Sequence, residues 1–255
     1  MVLTIPPNLS LSSFIRYMFN NINAAMKKAV VPRYIPYNPC ERVVLPKLKK
    51  YKATVCDQKT IHQLLDAVKG TDMYLPILLL VTVGLRRGEL LALRWEDIDF
   101  TNKILKVRKN MVKGEKGHII KAPKSEAGIR DIHLGDDIVE ELKIARKQYL
   151  MDSITYGQGF QNLGFVVRQE DSSPCKPDSI AQKWGRLLEQ KSLPKIRLYD
   201  LRHSNATALI QAGVNPRVVQ QRLGHSGVNI TYTHVLPEMD IEAAEKLDSI
   251  MLKKA

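Results

Sequence analysis

Apolar side chains recur along the chain at helical spacing and predict most of its secondary structure. Between residues 12 and 30 they recur at four-residue steps, which predicts an amphipathic helix that prolines then end. Similar patterns and end signals predict further helices, at residues 57–69, 73–83, 87–95, 136–151, 178–191, 200–212, 215–223 and 241–253. Three segments favour strands, at residues 104–112, 118–122 and 129–133. The pattern predicts a mainly α chain with a small antiparallel β-sheet, an α+β fold.

Charge separates a basic first fifth of the chain from a more balanced remainder. Residues 1–53 contain nine Lys or Arg and a single acid, whereas all 255 residues carry a formal charge of +13. The proline-started basic segment that ends this stretch is typical of an interdomain linker. We therefore expect a small helical unit at 1–46, a basic linker at 47–53 and a larger domain at 54–255.

Composition excludes several classes of protein. With 44% hydrophobic and 25% charged residues the chain matches a globular protein, not a disordered or fibrous one. Its strongly apolar uncharged run, Met73–Leu85, is shorter than a membrane span, and its start lacks the pattern of a signal peptide. The three cysteines and six histidines show no disulfide or metal-site spacing. We expect a cytoplasmic protein without a metal or cofactor.

Two groups of basic residues suggest what the positive charge binds. The string "GLRRGEL" puts Arg86 and Arg87 at a predicted helix start, and "YDLRHS" puts Arg202 and His203 in the first turn after Asp200. Helix N-termini disfavour cations unless a phosphate is bound there, so the two groups together favour phosphate binding and a nucleic-acid partner. Solvated or acid-paired arginines in a merely soluble basic protein are the alternative.

The segment 212–227, "AGVNPRVVQQRLGHSG", supports a second hypothesis. Its glycines, asparagine and proline predict two helices joined by a tight turn. That arrangement also describes a helix-turn-helix, which would bind DNA without any chemistry.

Taken in order, five blocks resemble the tyrosine recombinase (phage integrase) family. They are "TVGLRRGELLALRWEDID" (82–99), "KAPKSEAGIRDIHL" (121–134), "LYDLRHSNATALIQAG" (198–213), "VVQQRLGHS" (218–226) and "YTHVLPEM" (232–239). The resemblance covers residue 54 to the end, and the piece before it looks like the last part of the family's core-binding domain. It implies a site-specific recombinase of a mobile element that acts on double-stranded DNA. It also implies accessory DNA-bending or directionality proteins and a homo-tetramer formed through the C-terminal helix. The apolar stripe of that helix fits the alternative, that it covers the core of its own domain, equally well.

Carried over residue by residue, the resemblance gives roles to the family's catalytic positions. Tyr232 would attack the DNA phosphorus, giving a 3′-phosphotyrosyl link and a free 5′-hydroxyl. Arg86 and Arg202 would clamp the phosphate oxygens, and Lys124 would protonate the leaving oxygen.

The remaining positions carry supporting roles. Glu89 would support the first arginine, and His225 matches a late position near the scissile phosphate. Further basic residues are expected to contact DNA, namely Lys27, Lys28, Lys47, Lys49, Lys50, Lys52, Arg87 and His203.

The chain departs from the family pattern in three places. Tyr199 stands where the family usually has histidine, and a phenol is a poor acid–base group near neutral pH. The segment between His225 and Tyr232 looks three residues short, roughly 10 Å of extended chain. The core-binding part is short as well. These departures leave open an integrase-derived DNA-binding protein that no longer cleaves; a type IB topoisomerase fits the flanking strings less well.

Overall fold

The computed structural model describes residues 11–47, 54–115, 117–224 and 237–252, in two compact units that divide between residues 52 and 53. The helices are α1 (Leu11–Val30), α2 (Gln58–Val68), α3 (Tyr74–Thr82), α4 (Arg87–Ala92), α5 (Asp136–Tyr156), α6 (Pro177–Gln190), α7 (Leu198–Gln211), α8 (Pro216–Leu223) and α9 (Pro237–Met251). The strands are β1 (Ile98–Asp99), β2 (Ile104–Val107), β3 (Asn110–Gly114), β4 (Gly117–Lys121) and β5 (Arg130–His133). This mainly helical architecture with small antiparallel sheets confirms the predicted fold class. Among the described residues, no helix is long and apolar enough to cross a membrane.

The first unit is built, in its described part, on α1 and a short 3-10 turn at Pro39–Arg42. Asn38 caps that turn by accepting from the backbone N–H of Cys40, and its amide donates to Asn23 on α1 at 2.7 Å. No residue of α1 is fully buried, although its apolar residues recur at four-residue steps. The residues of α1 are therefore exposed or half-buried.

The second unit has its core around α3. From Pro76 to Thr82 every residue of this helix is buried, because its sequence is apolar on all faces. It packs against α2, α7 and α9, and the Thr82 hydroxyl is satisfied by the Leu78 carbonyl at 2.7 Å. A rigid α3 fixes the turn that follows it, which leads into α4.

The sheet is divided where a continuous strand was predicted. The prediction of one strand at 104–112 is wrong: β2 pairs with β1 and β5, whereas β3 pairs with β4 in a separate sheet. Between them, Arg108 turns its guanidinium onto the carbonyls of Val107 and Arg130, at 3.1 and 2.9 Å, and pairs with Asp131. These bonds hold the chain beside β5 and direct β3 away as a separate hairpin.

Three helix ends also differ from their predicted positions. The helix predicted at 87–95 stops at Ala92, because Asp97 accepts the Arg94 N–H at 3.0 Å and starts a 3-10 turn there. Helix α5 continues five residues past the predicted end at Met151, and no glycine or proline interrupts it before Gly157. Helix α9 begins four residues before the predicted Ile241, at a proline.

Helix α9 lies on its own domain. Ala243, Ala244, Leu247 and Met251 are buried, and α9 packs against α2, α3, α5, α7, α8 and β5. Its apolar stripe therefore covers the core of this chain in the structure.

Two aspartates fix the ends of α9. Asp240 accepts from the His133 backbone N–H at 2.8 Å and from Arg222, and Asp248 accepts from the Asp137 N–H at 3.0 Å. Asp248 thereby caps α5, whose own N-cap residue, Gly135, has no side chain to do so.

Candidate active site

A tight turn after α3 brings Arg86 to the site. Gly84 has φ +71°, and a Cβ there would lie 2.6 Å from the Leu223 side chain, so only glycine fits. Arg86 then serves as N-cap of α4, and its guanidinium donates to Glu89 Oε1 at 2.7 Å and to the Gly224 carbonyl at 2.5 Å. Its side chain keeps 36% exposure, so the guanidinium is partly open to solvent. Because α4 has only six residues, the helix dipole contributes little to this site.

Arg202 reaches the same place from α7, but not from a helix start. The prediction that Arg202 and His203 lie in the first turn is wrong, since α7 begins at Leu198 and Arg202 is its fifth residue. Arg202 is 2% exposed, and its two terminal nitrogens donate to the carbonyls of Gly84 and Leu223. Packing and backbone acceptors fix this side chain.

A third arginine, which is buried like Arg202, completes the group, and the sequence analysis missed it. Arg130 on β5 donates to both Glu89 oxygens, at 3.1 and 2.9 Å. The available signal was strand alternation: a strand that points Ile132 inward also points Arg130 inward, and a charged residue there needs a buried partner. We call Arg86, Glu89, Arg130 and Arg202 the arginine cradle.

The arginine cradle carries excess positive charge. It holds three guanidiniums against one carboxylate in a largely buried space. Burial, followed by the charge of Arg86, lowers the pKa of Arg202 to about 10. For Glu89 burial acts to raise the pKa, but bonds from Arg130 and Arg86 outweigh it and the net shift is downward. Such a site is electrostatically suited to bind an anion.

The other catalytic candidates in the described ranges lie in different environments. Tyr199, in the first turn of α7, is 51% exposed and packs edge to face on His203 with ring centroids 4.7 Å apart. Lys124 is exposed on the loop between β4 and β5. The structure thus pairs Arg86 with Glu89, brings Arg202 to the neighbouring carbonyls at the end of α8 and presents Lys124 on an exposed loop. His225 and Tyr232 lie outside the described residues.

The predicted DNA contacts are distributed over both units. Arg87 is exposed and donates to the Pro177 carbonyl at 3.2 Å. In the first unit, Lys27 and Lys28 occupy the last turn of α1, and Lys47 is also exposed. Three further lysines lie outside the described ranges: Lys49, Lys50 and Lys52.

Comparison with known proteins identifies the family. The family model described as "Phage integrase family" matches residues 54–239, so this chain belongs to the phage integrase family. A "Tyrosine recombinase XerC-like" protein of Caldanaerobacter subterraneus subsp. tengcongensis is 30% identical over 95% of this chain and 66% of its own length. The "ICEBs1 integrase" of Bacillus subtilis is 26% identical over 91% of this chain and 65% of its own. The chain therefore spans about two thirds of the length of these curated relatives.

Solved structures support the fold. The Tn1549 transposon integrase in complex with transposon right end DNA superimposes with a TM-score of 0.74 at 23% identity, covering 94% of this chain and 80% of its own. A lambda integrase dimer bound to a COC′ core site gives 0.59 at 15% identity, covering 89% and 77%. At this level of identity the likeness establishes the shared fold.

Proposed function

We propose that this chain is a site-specific DNA recombinase, an integrase that cleaves and rejoins DNA strands to integrate or excise a mobile element. The observation that carries the proposal is the arginine cradle, in which Arg86 and Arg202 meet at the C-terminal end of α8 with one carboxylate among three guanidiniums. A phosphodiester supplies the negative charge that such a site lacks. The family's curated relatives are named as recombinases, integrases and transposases, which supports the same reaction.

The cradle suits the charge that develops during phosphoryl transfer. As a nucleophile adds to the phosphorus, negative charge increases on the non-bridging oxygens, and preorganised guanidiniums stabilise it more than the ground state. Arg202 is held by two backbone carbonyls, so each terminal nitrogen still has a second N–H to offer a phosphate oxygen. Arg86 is the more exposed partner and would reach the outer oxygen.

The covalent chemistry is assigned to other residues of the family pattern. The Tyr232 phenolate attacks the phosphorus, the bond to the 5′-oxygen breaks, and a 3′-phosphotyrosyl link remains. Lys124 gives its proton to the leaving 5′-oxygen. Because the phosphotyrosyl ester keeps the bond energy, a 5′-hydroxyl of another strand reverses the step without ATP. His225 assists near the phosphate.

Tyr199 occupies the position where the family usually has histidine. Its hydroxyl can donate a hydrogen bond to a phosphate oxygen but exchanges protons poorly at neutral pH. We propose that this substitution slows the reaction without abolishing it.

Residues 1–46 are proposed to be the end of a core-binding domain, joined to the catalytic domain, 54–255, by the linker 47–53. Exposed Lys27, Lys28 and Lys47 support this assignment, as do exposed tyrosines of the same unit such as Tyr34. Lys49, Lys50 and Lys52 of the linker, with Arg87 and His203, are proposed to add phosphate contacts.

Assembly on DNA is proposed to be a homo-tetramer that exchanges C-terminal helices. An exchanged α9 would make in a neighbour the contacts that Leu247 and Met251 make in this chain, so exchange needs no new interface chemistry. Accessory DNA-bending or directionality proteins would set the direction of recombination, and the bacterial cytoplasm or nucleoid is the proposed location.

A second candidate is an integrase-derived protein that binds DNA without cleaving it. The observation that favours it is the spacing of only six residues between His225 and Tyr232. Attack needs the reacting atoms within about 3 to 3.5 Å, so a short segment could hold the phenol out of reach.

A nicked suicide substrate that carries the element's own end sequence separates the two candidates. The recombinase is expected to form a covalent protein–DNA adduct in EDTA, visible on a denaturing gel and lost in Tyr232→Phe. The matched control is Tyr156→Phe, which changes an exposed tyrosine on α5 to which no role is assigned and should leave the adduct unchanged. Salt-dependent DNA binding without any adduct would support the non-cleaving candidate instead.

A further inference from the structure

Arg130 uses four of its five guanidinium N–H groups inside the protein. Its side chain is 4% exposed, and besides the two bonds to Glu89 it donates from Nε to the Arg222 carbonyl at 2.5 Å and from Nη1 to the Gly128 carbonyl at 3.2 Å. All three of its nitrogens are therefore engaged by the protein. One N–H is left, on Nη2, whereas Arg202 keeps a second N–H on each of its two terminal nitrogens.

Arg130 and Arg86 share the same carboxylate. Glu89 Oε1 accepts from Arg130 Nη1 and Arg86 Nη1, and Oε2 accepts from Arg130 Nη2 and the Arg86 backbone N–H. The two-pronged contact from Arg130 fixes the plane of the carboxylate, since a bidentate pair defines both position and orientation. The fixed carboxylate in turn defines where the partly exposed Arg86 guanidinium lies.

The same residue joins the three elements around the cradle. Gly128 belongs to the loop that carries Lys124, the Arg222 carbonyl belongs to the last turn of α8, and Glu89 lies on α4. Packing is close at this junction: a Cβ added to Gly224 would lie 2.9 Å from Arg130 Nη1. A change at Arg130 would therefore reach each of these elements.

We propose that Arg130 is the positioning residue of the catalytic arginines, acting through Glu89 on Arg86 and through backbone carbonyls on the Lys124 loop and α8. This inference rests on the proposed function but concerns a residue to which that function gives no role. Arg130 contacts no substrate in this scheme. It orients the groups that do.

A second buried arginine provides a matched control. Arg222 is likewise buried, at 3% exposure, and pairs with one carboxylate, that of Asp240. The recorded partners of its guanidinium are Asp240 and the His133 carbonyl, and neither Glu89 nor Arg86 is among them. Removing either guanidinium leaves a buried carboxylate short of a partner and destabilises the fold. Only the removal of the Arg130 guanidinium should change the position of the Arg86 side chain.

The first experiment measures the order of Arg86 itself. The full chain is labelled with ¹⁵N-arginine, and the Arg86 side-chain N–H signal is assigned by its loss in Arg86→Lys. We expect Arg130→Gln and Arg130→Lys to shift this signal and reduce its heteronuclear NOE, and Arg222→Gln to leave it as in the wild type. If Arg130→Gln does not fold, Arg130→Lys decides. An unchanged Arg86 signal in a folded Arg130 variant overturns the inference.

The second experiment measures cleavage of the suicide substrate. Arg130→Lys is expected to lower the rate of adduct formation at saturating DNA by about 30-fold while changing the half-saturating DNA concentration by less than about twofold. In a Glu89→Gln background the same change should add little further loss, because Arg130 acts through Glu89. Fully additive losses contradict the inference. No adduct from the wild-type chain contradicts the proposed function alone, and the Arg86 signal still tests Arg130.

Discussion

Two buried arginine clusters lie close together in the second unit, and their charges differ. In the arginine cradle three guanidiniums surround one carboxylate. In the second cluster, the helix anchor of His133, Arg222 and Asp240, one guanidinium faces one carboxylate, and its remaining bonds go to the carbonyls of Asp240 and His133 at 3.0 and 3.1 Å. The positive and negative charges of the helix anchor balance without a ligand, whereas the arginine cradle keeps an excess of positive charge.

The difference separates a structural ion pair from a binding site. Both clusters are desolvated, so burial alone does not distinguish them. An uncompensated buried charge costs free energy that a bound counter-ion recovers, and the lowered pKa of Arg202, caused first by burial and then by Arg86, reflects that cost. Excess charge of one sign, joined to partial exposure at Arg86, distinguishes the cluster for which we propose phosphate binding.

The largest expected effect is on the cradle's chemistry. Arg202→Ala should reduce adduct formation by about 10³-fold, or about 4 kcal/mol, because the developing charge on the phosphate loses a preorganised donor. Single-turnover cleavage of the suicide substrate measures it. Arg222→Ala is the control and should cleave at close to the wild-type rate wherever it is folded. Equal losses of adduct formation in the two variants would show that the arginine cradle is no more important for cleavage than the helix anchor.

Substitutions in the helix anchor should change the stability of the fold rather than the rate of cleavage. Arg222→Gln is expected to lower the free energy of unfolding by about 3 kcal/mol, since it leaves the buried Asp240 carboxylate without its guanidinium. Urea unfolding followed by circular dichroism measures this loss. The double variant Arg222→Gln/Asp240→Asn should recover part of it. A stability unchanged by Arg222→Gln would mean that the anchor contributes nothing to holding α9.

The sequence predicted the parts of this comparison that depend on local pattern. Arg86, Arg202 and Glu89 were identified from contiguous strings, and most helices from their spacing and caps. Arg130 was missed because its significance depends on Glu89, 41 residues away. The position predicted for Arg202, in the first turn of a helix, was wrong, because helix ends are the least certain part of a pattern. The break between β2 and β3 was missed since Arg108 achieves it through a partner on another strand.

A smaller effect on stability should distinguish Asp248 from Asp240, the two aspartates at the ends of α9. Burial, with Asp137 and Asp136 nearby, raises the pKa of Asp248 to about 6, from 3.8. The folded chain therefore binds a proton that the unfolded chain lacks between about pH 4 and 6, so this group makes the fold more stable as the pH falls through about 6. Asp248→Asn should raise the free energy of unfolding by about 1 kcal/mol at pH 7.5 and leave it unchanged at pH 4.

Urea unfolding at the two pH values checks this result, and Asp240→Asn is the matched comparison. Because Asp240 pairs with Arg222 and Asp248 has no cationic partner among the contacts described here, Asp240→Asn should destabilise at pH 7.5. A loss of stability in Asp248→Asn at pH 7.5 would contradict the assigned cost of its charge.

The smallest effect concerns Tyr199, which is exposed on the helix that carries Arg202. Tyr199→His restores the family's usual residue beside His203, in the first turn of the helix that carries Arg202. An imidazole has an ordinary pKa near 6.5, so it can both donate to the phosphate and exchange protons at neutral pH, whereas a phenol can only donate. We expect adduct formation to rise by about threefold at pH 7, or about 0.6 kcal/mol, with a new pH dependence between about pH 6 and 7. Tyr199→Phe should fall below the wild type, since it removes the donor as well. If the histidine and phenylalanine variants give the same rate of adduct formation, Tyr199 does not contact the phosphate. The exposed group that contacts the phosphate is then Arg86 and not Tyr199.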